Sequence, residues 1–397
     1  MRVSLSPIRR KPEGAAAALP SPLLDAGGAG IVLGKQSAAM GLVEPIVPSE
    51  RTLFGPRGAA LAGPDGPLFV CDTGHHRLLI WNHLPAHDGT SADLLVGQAD
   101  FAREGRNGRG PVGPATLNVP TGVAAQDGVL AVADAWNHRV LIWHGYPVRS
   151  NQPADVVLGQ SDFASSAPNR GSDAPSAVSL NWCYGVAIAD GALYVADTGT
   201  RRVLKWNRIP DANGMPADLV LGQTDFSTRD ENGGTAPGAA GMRWPHGIAT
   251  DRGRLFVADA GNNRIMVWDA DPSRNGAPCT FVLGQRDVAG VDHNQAAYYP
   301  TAASLNMPYG VAVLGRTLAA VDTANCRIVG YDLDRLAMEA PAFRLAGQST
   351  FEDKGENRWG FAQRDSLCWP YGLSTCGGMA VVADSGNNRV LIWEAVS

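Results

Sequence analysis

The chain has 397 residues, of which 45% are apolar and 18% charged, with a net charge of −5 at pH 7. It can bury large cores, and its acidic balance argues against the basic face that nucleic-acid binders need. Almost every cationic side chain is arginine, since Lys11, Lys35, Lys205 and Lys354 are the only lysines.

Residues 1–28 hold basic residues, but prolines and RRKPE interrupt any apolar run, so they read as a flexible tail and not a signal peptide. On that reading residues 1–26 are dispensable, and residues 29–397 form one domain. No apolar run approaches the roughly 20 residues that span a bilayer. The six cysteines share no repeat position and no CxxC spacing, which points to free thiols in a reducing, cytoplasmic setting.

The first strand signature, IVLGKQ around Gly34, recurs as LLVGQADF, VVLGQSDF, LVLGQTDF, FVLGQRDV and RLAGQSTF. Successive glycines (Gly34, Gly97, Gly159, Gly222, Gly284, Gly347) stand 62 or 63 residues apart. After each glycine comes one of six units, ending in CDTGHHRLLIWN, ADAWNHRVLIWH, ADTGTRRVLKWN, ADAGNNRIMVWD, VDTANCRIVGYD and ADSGNNRVLIWE. In one unit, Gly247–Thr250 reads as a strand, Arg254–Ala258 as a second, Asp259–Asn263 as a tight hairpin and Arg264–Trp268 as a third. Thr280–Leu283 then reads as a fourth. Four short strands per unit and no helical periodicity predict an all-β, six-bladed β-propeller of four-stranded antiparallel blades. The chain runs out after the third strand of the last unit. The strand at Ile31–Leu33 is therefore expected to pair near Arg389–Trp393 and complete that blade.

Residues that recur in every unit read as structure. Asp72/Arg77, Asp134/Arg139, Asp197/Arg202, Asp259/Arg264, Asp322/Arg327 and Asp384/Arg389 are six equivalent pairs, whereas an active site needs one constellation. They read as hairpin braces, in which losing one partner costs more than losing both. Trp81, Trp143, Trp206, Trp268, Tyr331 and Trp393 end the third strands and read as packing between blades. Asn107, Asn169, Asn232, Asn294 and Asn357 recur in the long loops and read as loop staples. His75, His76 and His138 read as turn residues.

The ADxGNNRI pattern followed by apolar residues and Trp resembles the NHL-repeat family from about residue 31 onward. Trp136 and Cys326 depart from the usual turn residues. The resemblance implies the six-bladed ring but no single function, because the family includes RNA-binding regulators, sensors, interaction scaffolds and a zinc-dependent peptide-amidating lyase. That lyase holds its metal with histidines at the channel mouth, and only His246 here falls in a matching place. No cofactor or metal is expected.

One repeat position varies from blade to blade. The residue before the glycine in LFGPRG, LNVPTG, LNWCYG, MRWPHG, LNMPYG and LCWPYG is Arg57, Thr121, Tyr184, His246, Tyr309 or Tyr371. With Trp182, Trp244, Met307 and Trp369 these residues describe either a ligand cup at the channel mouth or an aromatic plug. On the loop-bearing face Trp136, Trp359 and Arg106 are irregular residues of the kinds that dominate binding hot spots. The expected function is a non-catalytic protein-interaction scaffold using that face, with a protein partner and neither nucleic acid nor membrane. The alternative is a small-molecule or peptide sensor, or a metal-assisted lyase or hydrolase, using the cup.

Overall fold

Glycine at the head of each innermost strand sets how closely the units can stand. In the computed structural model, which describes residues 19–34 and 46–396, a Cβ on Gly58, Gly122, Gly185, Gly247, Gly310 or Gly372 would come within 3.0 Å of a neighbouring backbone. Each time the obstacle is the carbonyl of the next blade's cup-position residue: Thr121, Tyr184, His246, Tyr309, Tyr371 and, closing the circle, Arg57. Six inner strands therefore converge around one axis, as predicted. Blade 4 is representative, with strands Pro245–Asp251, Arg254–Asp259, Arg264–Trp268 and Phe281–Leu283 running outward in order. Alternation buries both faces of each sheet, and clusters such as Phe256, Ile265, Leu318 and Tyr331 fill the space between neighbouring blades. Among the described residues no helix is long and apolar enough to cross a membrane, and all six cysteines are free.

The braces are buried charge networks. All six aspartates are fully buried, and each accepts the paired arginine's Nε at 2.6–3.0 Å. The second carboxylate oxygen accepts a lead-in backbone N–H at 2.6–2.8 Å. The arginine reaches further. Arg264 donates Nη1 to the Val288 carbonyl at 2.5 Å and Nη2 to Gly238 and Gly241 at 3.1 and 2.9 Å. One guanidinium thus ties a hairpin to the loop before it and the loop after it. These outside contacts bear on the expectation that removing both partners is the milder change. The pair also satisfies groups outside itself, and those would be orphaned in the double variant. Arg264→Met is expected to cost at least 3 kcal/mol. Asp259→Asn/Arg264→Met should recover little of that, as read by denaturant unfolding.

The ring closes as expected. Ile31, Val32 and Leu33 pair antiparallel with Ile392, Leu391 and Val390, completing the sheet of Pro370–Cys376, Met379–Asp384 and Arg389–Glu394. The tail reading is corrected for residues 19–28, while residues 1–18 lie outside the described residues. Ser21–Pro22 pairs parallel to Arg344 and Leu345 on the edge of blade 5, where a proline's missing N–H costs nothing. Leu23 and Leu24 are buried. Trp393 donates its indole N–H to the Asp25 carbonyl at 2.8 Å, the bond that Trp81 makes to Thr90 at 3.0 Å. A segment that reads as a linker, because prolines break its pattern, therefore completes blade 6. Deleting residues 1–26 loses about 3 kcal/mol of leucine burial. Relative to a chain starting at residue 19, it is expected to lower the melting temperature by several degrees in a calorimetric scan.

Candidate functional site

Tyr184, His246, Tyr309, Tyr371 and Arg57 come from five blades and meet over the axis. His246 lies between Tyr184 and Tyr309, with ring centroids 5.2 and 4.5 Å away and both pairs 27° from parallel. Tyr371 stands 4.4 Å from Tyr309 and edge-on to His246 at 5.8 Å. The Arg57 guanidinium sits over the rings of Tyr371 and Tyr184, at 4.9 and 5.9 Å, the geometry of cation–π contact. These five side chains make a floor. Above it opens a cup of about 760 Å³, walled by Trp182, Trp244, Trp369 and Phe54. The cup and the plug are thus one structure, since the plug is the cup's base. Its volume falls in the range of small-molecule sites.

Thr121 is the exception among the cup-position residues. Its side chain is fully buried and donates a hydrogen bond to the Tyr184 carbonyl at 2.9 Å, joining blade 2 to blade 3. Sequence reading missed Phe54 and Arg201, which also line the cup. Arg201 had a visible signal, for it stands where other units carry His, Asn or Cys.

Apart from the Arg57 guanidinium, the floor side chains are neutral. Burial lowers the His246 pKa to about 4, and Nδ1–H donates to the Trp244 carbonyl at 2.9 Å, leaving Nε2 unprotonated at neutral pH. Burial also pushes the Tyr309 and Tyr371 phenols up. Among the described residues the three tyrosine hydroxyls make no protein hydrogen bond, which leaves donors available at the floor.

The rim is held by a bond the sequence did not disclose. The residue before each brace arginine is in the left-handed region, and in five of the six blades it offers an acceptor to the next blade. Asn388, His76, His138, Asn263 and Cys326 accept the backbone N–H of Gly55, Val119, Trp182, Met307 and Trp369. Those five rim residues also have positive φ, from 46° to 55°. Such a backbone is strained for Val, Met and Trp, and it persists because the neighbouring blade fixes it. His76 and His138, read as turn residues, therefore carry a second task. An accepting Nδ1 cannot be protonated, and burial lowers the His138 pKa to about 4. His138 and His246 both have folded pKa values below the ordinary 6.5, so protonation favours the unfolded chain. The stability they contribute is whole above pH 6.5 and lost as pH falls towards 4. A melting-temperature series over that window should show the decline. His138→Asn, which keeps an acceptor as Asn263 does, should make the decline shallower, leaving the part that His246 contributes.

Outside the cup the predicted anchors are scattered. Trp136 occupies in blade 2 the place where Gly74, Gly199 and Gly386 line the cup, and it is half exposed. Trp359, 79% exposed, lies against Gly355, where a Cβ would strike its ring. Arg106 is exposed in the loop after blade 1. The five loop asparagines are staples as read. Each is in the left-handed region and donates its backbone N–H to a lead-in carbonyl, as Asn232 does to Met242 at 2.9 Å. Among the described residues no three His, Cys, Asp or Glu side chains are grouped to hold a metal ion.

A family model described as NHL repeat matches residues 117–143 and 242–268. NHL repeat-containing protein 2 of Homo sapiens is 23% identical over 358 residues, covering 82% of this chain and 44% of the relative. The Bos taurus protein of the same name is 24% identical with the same coverage. The chain thus spans less than half the length of the curated relatives it matches. Among solved structures, a gluconolactonase from Xanthomonas campestris has a TM-score of 0.48 and 13% identity, over 95% of this chain and 98% of that one.

Proposed function

The chain belongs to the NHL-repeat propellers, and on that premise we propose that it is a binding module. It receives a segment of a protein partner on the face that carries the hairpins and long loops, with the cup at the centre of that surface. One observation carries this reading. Phe54, Trp182, Trp244 and Trp369 are each left 41–50% exposed around a single concavity, and Trp136, 48% exposed, stands outside it. Isolated exposed apolar residues need no explanation, but large aromatics gathered on one rim are the composition of an interface centre. Two of them, Trp182 and Trp369, are fixed in place by the rim bonds from His138 and Cys326, so they are presented without a large loss of freedom on binding. Trp359 and Arg106 extend the surface outward as peripheral contacts. The six unpaired cysteines fit a reducing compartment such as the cytoplasm.

Affinity capture with wild-type protein and with Trp182→Ala/Trp244→Ala tests this reading. Proteins enriched by the wild type should be lost from the double variant, whose melting temperature serves as the folding control. Each central aromatic is expected to contribute about 2 kcal/mol, or roughly thirtyfold in affinity. If the same proteins are retained at the same strength, the docking surface is not this one. Trp359→Ala should weaken capture less than either central change.

A further inference from the structure

The sign of the cup is opposite to that of the protein. On a chain of net charge −5, Arg57 in the floor and Arg201 in the wall are, among the described residues, the only lining side chains charged at neutral pH, and no carboxylate among them joins the two. Neither arginine makes an ion pair among the described residues. Arg57 rests on two tyrosine faces, and Arg201 donates Nη1 to the Arg229 carbonyl at 2.9 Å. Arg243, close by in the next lead-in, is by contrast neutralised by Glu231 at 3.0 Å.

Arg201 also breaks the repeat at a structural cost. It stands where Asn388, His76, His138, Asn263 and Cys326 accept a rim N–H from the next blade, and a guanidinium has no acceptor. The Trp244 N–H turns instead to Asp259 Oδ1 at 3.3 Å, and Trp244 alone among the six rim residues leaves the left-handed region. A local rule kept in five blades and abandoned in one marks a site under a different demand.

We propose that the cup binds an organic carboxylate. Arg57 and Arg201 hold the anionic group, with the floor tyrosines offering hydroxyl donors, and an apolar body lies against Trp182 and Trp244. A guanidinium fork matches the planar carboxylate, and the apolar wall matches a carrier with little further charge. The inference rests on the cup being a binding site and adds the chemistry of what enters it. Such a group can come from a free small acid or from the C-terminus of a peptide.

Tryptophan fluorescence and thermal-shift titrations at 0.15 M salt test it. The probes are indole-3-acetate and 4-phenylbutyrate with their amides, and the peptide Ala-Ala-Ala-Phe with a free or amidated C-terminus. At least one acid should bind ten times more tightly than its amide, and whether small acid or peptide does so identifies the source. Arg57→Gln and Arg201→Asn should each weaken that binding at least tenfold, whereas Arg316→Gln on the opposite face should not. Arg201→Asn restores the missing acceptor, so its melting temperature should hold or rise, which separates lost recognition from lost folding. Acids and amides that behave alike, or acids that bind the wild type no better than Arg57→Gln, overturn the proposal. If partner capture still depends on Trp182 and Trp244 in that case, the docking surface stands without the anion.

Discussion

A buried aspartate hydrogen-bonded to a buried arginine, repeated six times, is the constraint on which the rest of the molecule depends. Each pair removes two charges from water, which is tolerable only because every polar atom finds a partner. Apart from the side chain three residues after the aspartate (His75, Asn137, Thr200, Asn262, Asn325 or Asn387), those partners lie outside the hairpin. They are carbonyls of the flanking loops and a lead-in N–H, so the charge can be buried only when the loops and the hairpin are correctly placed. Long loops that would otherwise be free to wander are thereby fixed on one face. The cup inherits its walls from them.

The same economy explains why the cup is shaped as it is. The inner-strand glycines let neighbouring strands approach until the cup-position side chains meet across the axis. Only the side chain at that position is free to vary, because its carbonyl already lies against the preceding blade's glycine. Arg57, Tyr184, His246, Tyr309 and Tyr371 thus share a backbone frame while differing in chemistry. Thr121 shows the limit of that freedom. It is small enough to turn back and bond a neighbour's carbonyl, and so it leaves the floor.

Much of this was legible in the sequence, for a physical reason. Repetition averages away local noise, so six aligned copies disclose which positions every blade needs and which position differs. Strand order, closure through Ile31–Leu33 and the identity of the floor all followed. What did not follow were contacts between units. The rim bonds from His76, His138 and Cys326 join residues some 43 or 44 positions apart, which nothing in a single unit's pattern displays. Residues 21–25 failed for the opposite reason. They occur once, have no copy to be compared with, and are punctuated by prolines that resemble a linker.

Leu24 bridges Ala395, and the Val396 N–H donates to the Leu23 carbonyl. These first and last described stretches therefore leave the ring together, at its circumference beside blades 5 and 6. Any domain continuing the polypeptide in either direction would be tethered to the perimeter, a blade's width from the axis. Such an appendage could swing beside the disc without obstructing the central opening.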